Sequence, residues 1–277
     1  MRTIVLPGPT AVDAFRDHAR GLLAAGVAPE SVEWQVAGSA APELFAAQAE
    51  PTAVPPAPVD AARVPAAFVT LCRTVALHRD PGRFALLYRL LWRLVHEPAL
   101  RHDPLDPDRD AAESMARAVR RDAHKMKAFV RFRPLPDADG REPLHIAWFE
   151  PDHHIVEAVA PFFARRFAAM RWAILTPGAS VRWDGAQLRF GPGAAREDAP
   201  GPDAGEALWL TYYASIFNPA RLKLDAMRKE MPRRYWHNLP EAALIDPLAA
   251  GAMERTGRMV DSAPTQPLRR IAGRQRD

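Results

Sequence analysis

The sequence predicts an α+β fold: a small antiparallel meander sheet flanked by helices, with a short N-terminal β-α-β unit. Three patterns support this prediction. Apolar side chains recur at helical spacing over residues 65–127, short alternating runs lie within 128–150 and 171–190, and residues 3–36 combine one helix with two strands. The chain has 277 residues, of which 48% are hydrophobic, so it can bury a substantial core.

The predicted N-terminal β-α-β unit covers residues 1–45. Residues 3–6 and 31–36 alternate as short strands, and apolar side chains follow one helical face over 13–25. Residues 46–64 are rich in alanine and proline without any strand or helix periodicity, which predicts an extended linker.

Helices dominate the first part of the main α+β domain, which we place at residues 65–254. Apolar spacing predicts helices over 65–78, 80–96 and 109–127. Asp80 is the expected N-cap of the second helix, because its carboxylate can accept from the free backbone N–H groups there.

The predicted sheet is built from short strands later in this domain. They occupy residues 128–135, 144–150, 171–176, 180–184 and 187–190. Asp-Gly pairs in the first and last connections are typical of tight hairpins. Alternation places Arg131 and Arg133 on one face of the first strand. A helix over 153–170 separates the second and third strands, with Asp152 as its expected N-cap and Pro161 inside it.

The C-terminal part is predicted to be helical and then disordered. Helices are expected over 205–216, 220–230 and 241–254. The basic, proline-containing residues 255–277 are expected to form a disordered tail.

Several classes of protein and site are excluded or disfavoured by the sequence. Cys72 is the only cysteine, so an intrachain disulfide, a cysteine-ligated iron–sulfur cluster and a cysteine-rich zinc site are excluded. Dinucleotide, Walker, nucleophile-elbow and HExxH motifs are absent, and no cofactor is expected. The most apolar helix is interrupted by Arg89 and Arg93, so it cannot span a bilayer. The apolar run at the N-terminus is too short for a signal peptide. We therefore expect a cytoplasmic protein without a membrane partner.

Between Arg117 and Asn238 the chain interleaves cations with aromatic rings. The formal net charge is only +4, so nucleic-acid binding requires these cations to cluster. Cations bind phosphates and flat rings stack on bases. The predicted nucleic-acid-binding residues are Arg117, Arg121, Lys125, Lys127, Arg131, Arg133, Arg221, Arg233, Arg234, Tyr235 and Trp236. A solvated helix face is the alternative interpretation of the first six.

A second set of candidates contains histidine and aspartate. His124, Asp152, His153 and His154 are the candidates for acid–base catalysis. Adjacent histidines point about 100° apart on a helix, so the sequence predicts no metal site there. Trp172, Trp183 and Asn218 are candidates for a base-binding pocket, although most rings of this type belong to the core.

Six strings within this region carry a resemblance to a known family. They are FALLYRLLWRLVH (84–96), AVRRDAHKMKAFVRFR (118–133), AWFEPDHHIV (147–156), PFFARRFAAMRWAILTP (161–177), YYASIFNPARLK (212–223) and MRKEMPRRYWHNLPEA (227–242). Together they resemble a bacterial family of DNA-metabolism proteins, a domain of unknown function. It stands alone in some bacteria and precedes the uracil-DNA glycosylase domain of UdgX-type fusion proteins in others. Stand-alone members are associated with a radical-SAM protein thought to act in DNA repair or modification.

The resemblance implies a setting in DNA repair and gives no reaction. It leads us to expect a DNA-binding accessory protein that acts with a separate catalytic partner, either a radical-SAM protein or a uracil-DNA glycosylase-type protein. The printed sequence ends at Asp277, soon after the last string, so we do not expect covalent uracil capture. Two alternatives stay open: a DNA-processing enzyme that uses the histidine and aspartate candidates, and an interaction scaffold built on the helix 86–95 and the proline-rich linker.

Overall fold

The structure is a computed structural model that describes residues 1–38, 64–135, 143–201, 210, 227 and 230–261. The chain divides into two compact units, Met1–Pro200 and Gly201–Asp277. The predicted α+β class is confirmed, since helices pack beside a five-stranded and a two-stranded sheet.

The first unit holds the sheets and most of the described helices. Its helices are α1 (Val12–Ala24), α2 (Ala66–Val75), α3 (Arg83–His96), α4 (Pro107–Phe129) and α5 (Val156–Arg166). Its strands are β1 (Arg2–Leu6), β2 (Val32–Val36), β3 (Arg133–Leu135), β4 (Leu144–Trp148), β5 (Trp172–Leu175), β6 (Ala179–Trp183) and β7 (Leu188–Pro192). Short 3₁₀ turns lie at Pro29–Ser31, Pro98–His102 and Arg196–Asp198.

The N-terminal β-α-β unit forms as predicted and shares a core with the helices that follow. Strands β1 and β2 pair in parallel, from Arg2 opposite Val32 to Leu6 opposite Val36. The Trp34 ring of β2 lies 4.8 Å from Phe15 of α1 and 5.8 Å from Tyr88 of α3. These aromatic contacts join the small sheet to the helical layer.

Charged side chains connect α3 to the start of α4. The guanidinium of Arg93 lies 2.7 Å from the Asp106 carboxylate, and that of Arg89 lies 2.6 Å from Asp108. Asp106 is also the N-cap of α4, because its Oδ1 accepts the backbone N–H of Arg109 at 2.9 Å. The two arginines that interrupt the apolar pattern of α3 therefore orient α4. Within the described part of the chain, no helix combines the length and apolarity needed to cross a lipid bilayer.

Helix α4 is longer than predicted, and this changes the strand that follows it. The helix continues to Phe129, which is buried on the same side as Met126, three residues earlier. Strand β3 is therefore only three residues long. The prediction that Arg131 and Arg133 share one strand face is wrong, because Arg131 lies before the strand. The hairpin turn at 136–142 lies outside the described residues.

The five-stranded sheet has the order β3-β4-β5-β6-β7, which follows the chain. All neighbours are antiparallel except β4 and β5, which run parallel. The sheet is thus mixed, unlike the predicted all-antiparallel meander, because α5 returns the chain to the end of the sheet where β4 began. Gly185 makes the tight β6–β7 turn with a φ of 102°, and the Asp184 carboxylate accepts two backbone N–H groups there.

Helix α5 begins later than predicted. Its N-cap position is Ile155, so the assignment of Asp152 as N-cap is wrong. Residues 152–154 instead form an irregular turn before the helix.

The second unit contains, in its described part, a 3₁₀ turn at Arg233–Asn238 and a helix, α6, at Ala242–Asp261. Most residues of the predicted helices 205–216 and 220–230 lie outside the described residues. Helix α6 includes the first residues of the predicted tail, and residues 262–277 lie outside the described part.

Candidate functional site

A concave pocket of about 590 Å³ lies where the loop between α2 and α3 meets the turn before α5. We call it the histidine pocket. Its lining residues are His78, Arg79, Asp80, Pro81, Ala118, Asp152 and His153. Two of them, Asp152 and His153, are among the candidates predicted from sequence, and the first four are not.

The two imidazoles of the histidine pocket lie against each other. Their ring centroids are 4.4 Å apart, with an angle of 32° between the planes. The Nδ1 of His153 accepts the backbone N–H of Arg79 at 3.3 Å, and the Nδ1 of His78 accepts that of Asp80 at 3.1 Å. Because Nδ1 is the acceptor in each neutral ring, each Nε2 carries the hydrogen. The pocket therefore holds two neutral imidazole N–H donors.

Burial keeps these rings neutral. Burial first, and the neighbouring His78 second, lower the pKa of His153 to about 4. Burial is also the main cause that lowers the pKa values of His78 and His154. Near neutral pH both pocket rings are uncharged and their Nδ1 lone pairs are already used. This arrangement favours hydrogen-bond donation over proton abstraction.

The turn at 152–154 is held by backbone hydrogen bonds on both sides. The buried carboxylate of Asp122, on α4, accepts the backbone N–H of His153 at 3.0 Å. The N–H of His154 donates to the carbonyl oxygen of Leu77 at 2.9 Å. Asp122 interrupts the cationic sequence of α4 because it anchors this turn.

A buried arginine holds the other side of the histidine pocket. The Arg83 side chain is only 2% exposed and donates to the carbonyl oxygens of Ala76, Asp80 and Pro9, each at 2.8 Å. Burial lowers its pKa, and its guanidinium lies over the Phe84 ring at 4.4 Å. These three bonds fix the loop that carries His78 beside the N-terminal unit.

Three cations form a row on α4 at the edge of the histidine pocket. Arg117, Arg121 and Lys125 recur every four residues, so they rise about 6 Å per step along one side of the helix. Ala118, which lines the pocket, lies to one side of this row, about 100° around the helix from Arg117 and about 60° from Arg121. Arg117 lies 3.7 Å from Asp110, and both side chains are mostly exposed. We call these three residues the cationic ridge.

The other cations predicted on this segment make contacts elsewhere. Lys127 lies about 200° around α4 from Lys125, over the Phe162 ring at 5.2 Å. Arg131 donates to the carbonyl oxygen of Ala128 at 2.8 Å, at the end of α4. Arg133 donates to that of Pro200 at 2.9 Å. The structure thus brings together three of the six cations predicted between 117 and 133.

In the second unit, the predicted cations and rings contact each other. Arg233 lies over the Trp236 ring at 5.4 Å, and Arg234 lies over the Tyr235 ring at 4.7 Å. Tyr235 is 2% exposed and accepts a hydrogen bond from Arg234 at 2.6 Å, so its ring presents no face to a base. Arg221, the remaining predicted cation, lies outside the described residues.

The other candidates do not join the histidine pocket. His124 is exposed and lies about 120° around α4 from Ala118. Trp172 is fully buried in the core, and the Trp183 Nε1–H donates to the carbonyl oxygen of Ala168. Asn218 lies outside the described residues. Among the described residues, no three His, Cys, Asp or Glu side chains are arranged to hold a metal ion.

The sequence analysis missed the half of the pocket that comes from the α2–α3 loop. Its signal is the polar run His78-Arg79-Asp80-Pro81 between two apolar helices. The prediction that Asp80 is the N-cap of α3 is wrong, because the N-cap position is Gly82. The Asp80 carboxylate accepts the backbone N–H of Gly82 at 2.8 Å in the loop before the helix, and Asp80 lines the pocket.

A family described as a domain of unknown function, DUF4130, matches residues 81–241, which is more than half of the chain. The chain belongs to the DUF4130 family. The match begins at Pro81, so it includes Asp122, Asp152 and His153 and starts just after His78. No curated protein and no solved structure matches this DUF4130 protein.

Proposed function

We propose that this DUF4130 protein is a DNA-binding accessory protein in bacterial DNA repair or base modification. The observation that carries the proposal is the cationic ridge, a row of three cations bordering a concave pocket. The ridge spans about 12 Å along α4, which is the axial length of roughly three to four base pairs. Phosphates at this spacing can each meet one cation.

The contacts of the cationic ridge within the protein are compatible with phosphate binding. The ion pair between Arg117 and Asp110 is exposed and 3.7 Å long. Exposed pairs of this kind contribute only about 0–1 kcal/mol to stability, so a phosphate can displace the carboxylate at little cost. Lys125 also lies over the Phe129 ring at 5.7 Å, which is a cation–π contact.

The partner and the setting follow from the family resemblance in the sequence. A separate enzyme, a radical-SAM protein or a uracil-DNA glycosylase-type protein, supplies the chemistry in this proposal. The single, buried and unpaired thiol of Cys72 fits the reducing cytoplasm where we place the protein.

Two double variants with equal loss of charge test the proposal. Arg121→Gln with Lys125→Gln removes two cations from the ridge, and Arg120→Gln with Lys127→Gln removes two from other sides of the same helix. Affinity for a fluorescent 20-mer duplex is measured by anisotropy between 50 and 200 mM salt. The ridge variant should reduce the slope of log K against log salt by about 1.8, at about 0.9 per phosphate contact. The control variant should leave the slope nearly unchanged. Equal slopes in the two variants, or no DNA binding by the wild type, would refute the proposal.

A second candidate function is a DNA-processing enzyme, and the histidine pocket favours it. Asp152 and His153 do meet in a concavity of suitable size, whereas His124 lies outside it. If the purified protein alone steadily removes or cleaves damaged bases in oligonucleotides, this result would support an enzymatic function. That activity would have to disappear in His153→Asn.

The burial of α3 disfavours the helical part of the interaction-scaffold alternative. The apolar face of α3 is buried in the core of the first unit, through Leu86, Leu90 and Leu94. The remaining part, the proline-rich linker, lies almost wholly outside the described residues.

A further inference from the structure

We infer that the histidine pocket binds a single unpaired nucleobase of the DNA that the cationic ridge holds. Base binding at this place depends on the proposed function, because the ridge delivers the strand. It adds a ligand class and a site that phosphate contacts alone do not provide.

The charges of the histidine pocket favour a neutral ligand over an anion. Asp80 and Asp152 each contribute one negative charge, and Arg79 contributes one positive charge. Arg79 is also within 3.9 Å of Asp152. With both imidazoles neutral, the lining has a net charge of about −1, which disfavours a phosphate.

The polar groups match the edge of a nucleobase. The two imidazole Nε2–H groups can donate to ring nitrogens or carbonyl oxygens, and the carboxylates can accept from amino groups. A base edge presents donors and acceptors side by side in one plane. Pro81 and Ala118 add apolar surface for the flat faces of the ring.

The histidine pair is also fixed in advance of binding. The two ring nitrogens that face the protein are held by backbone N–H groups, and the His153 backbone is anchored to Asp122. His153 is 9% exposed and His78 lies half-buried beside it. Rings held in this way lose little conformational entropy when a base stacks on them. Histidine is among the side chains on which unstacked bases stack in nucleic-acid complexes.

The volume and position agree with an unpaired base. A space of about 590 Å³ lies in the range of sites that take small organic ligands. Ala118 belongs to the pocket, and Arg117 and Arg121 lie one and three residues from it on α4. A strand whose phosphates contact the ridge can therefore place a base near the mouth of the pocket. Extruding a base costs least where it is mismatched or unpaired, so such a site selects those positions.

The first experiment compares two 20-mer duplexes, one fully paired and one with a single bulged nucleotide, in anisotropy titrations. Wild type should bind the bulged duplex about tenfold more tightly, the order of magnitude of one stacked base. His78→Leu, which keeps volume but removes ring and donor, should abolish this preference and leave the salt slope unchanged. His78→Phe should restore part of it through stacking. His124→Leu is the matched control, since it removes an exposed imidazole that lies about 120° around α4 from the pocket residue Ala118.

A preference that survives His78→Leu would overturn the base site while the DNA-binding function stands. The base site would also be overturned if the ridge variant shows the expected reduction in salt slope but the wild type shows no preference for the bulged duplex. All variants are first compared by thermal unfolding. If His78→Leu melts well below wild type, His78→Gln is used in its place.

A second experiment is independent of DNA binding. Free deoxynucleosides and inorganic phosphate are titrated separately while the imidazole signals of ¹³C-histidine-labelled protein are followed by NMR. Deoxynucleosides should shift the His78 and His153 signals and leave that of His124 unchanged. Shifts caused by phosphate alone would overturn the inference. An absence of DNA binding with nucleoside shifts at these two rings would refute the proposed function and retain the base site.

Discussion

Replacing Arg83 by methionine should destabilise the protein by about 3–6 kcal/mol. The guanidinium makes three hydrogen bonds of 2.8 Å to the carbonyl oxygens of Ala76, Asp80 and Pro9, and methionine keeps the aliphatic stem but makes none. Leaving one buried acceptor unsatisfied costs about 1–3 kcal/mol. The bond to Ala76 is buried, whereas those to Asp80 and Pro9 are only partly buried, so the lower part of the range applies to the sum.

Arg83→Lys is an informative second variant. A lysine ammonium keeps the charge but lacks the planar fork that reaches three separate carbonyl groups. It should recover about half of the loss. Arg73→Met is the matched control, because Arg73 is exposed on α2 and its replacement should change stability by less than about 0.5 kcal/mol.

The assay for Arg83 is urea denaturation followed by tryptophan fluorescence and by circular dichroism. With a slope of about 2 kcal/mol per molar urea, the midpoint should fall by roughly 1.5–3 M. Hydrogen exchange of the α3 amides should accelerate in parallel, since α3 begins at Arg83. A loss below about 1 kcal/mol, or equal losses for methionine and lysine, would refute the assignment of Arg83 as the group that ties these segments together.

Three further predictions concern stability and reactivity. The folded pKa of His153, about 4, is below its ordinary value of 6.5, so the unfolded chain binds the proton that the folded chain excludes. Stability should therefore fall as the pH drops from about 6.5 to 4, by up to about 1.4 kcal/mol per pH unit, and His153→Asn should flatten the urea midpoint over that range. Gly193→Ala should lower the melting temperature, because a Cβ there would lie 1.9 Å from the Pro177 carbonyl oxygen. In the control Gly191→Ala the new Cβ meets nothing within 4 Å, so the melting temperature should stay unchanged. Equal melting temperatures for the two variants would contradict this prediction. Burial raises the pKa of the Cys72 thiol to about 12, so iodoacetamide should label it only as fast as the protein opens, and rapid labelling of native protein at pH 8 would show an accessible thiolate.

The helices and strands were largely predictable because their signals are local. The spacing of apolar residues marks which side of α3 or α4 faces the core, and it places those helices within a few residues of their observed bounds. The Asp184-Gly185 turn is equally local, since a positive φ and a short carboxylate suffice to form it. These features need no knowledge of the rest of the chain.

Errors arose where a contact between distant segments overrides the local pattern. The sequence of Asp152 resembles a helix cap, but the following turn is held by Asp122 and Leu77, and the helix starts later. Residues 128–130 alternate like a strand, yet Phe129 continues the buried side of α4.

The histidine pocket shows the same limit for the site. Arg79 and His153 are 74 positions apart in the chain, and only the folded structure reveals that the two histidine segments meet. The structure was also needed to show which three of the six predicted cations lie together. Residues 117, 121 and 125 share one side of a helix, but the length of that helix decides that Arg131 does not belong with them.

The sequence by itself determined the fold class, the apolar faces of the helices, the concentration of cations between Arg117 and Arg133, and the absence of an intrachain disulfide. Tertiary structure decided which imidazoles lie together, in which protonation state, and which cations border them. The physical reason is that periodicity is set by neighbours three or four positions apart, whereas desolvation and hydrogen bonding at a pocket depend on segments that only the folded chain brings into contact.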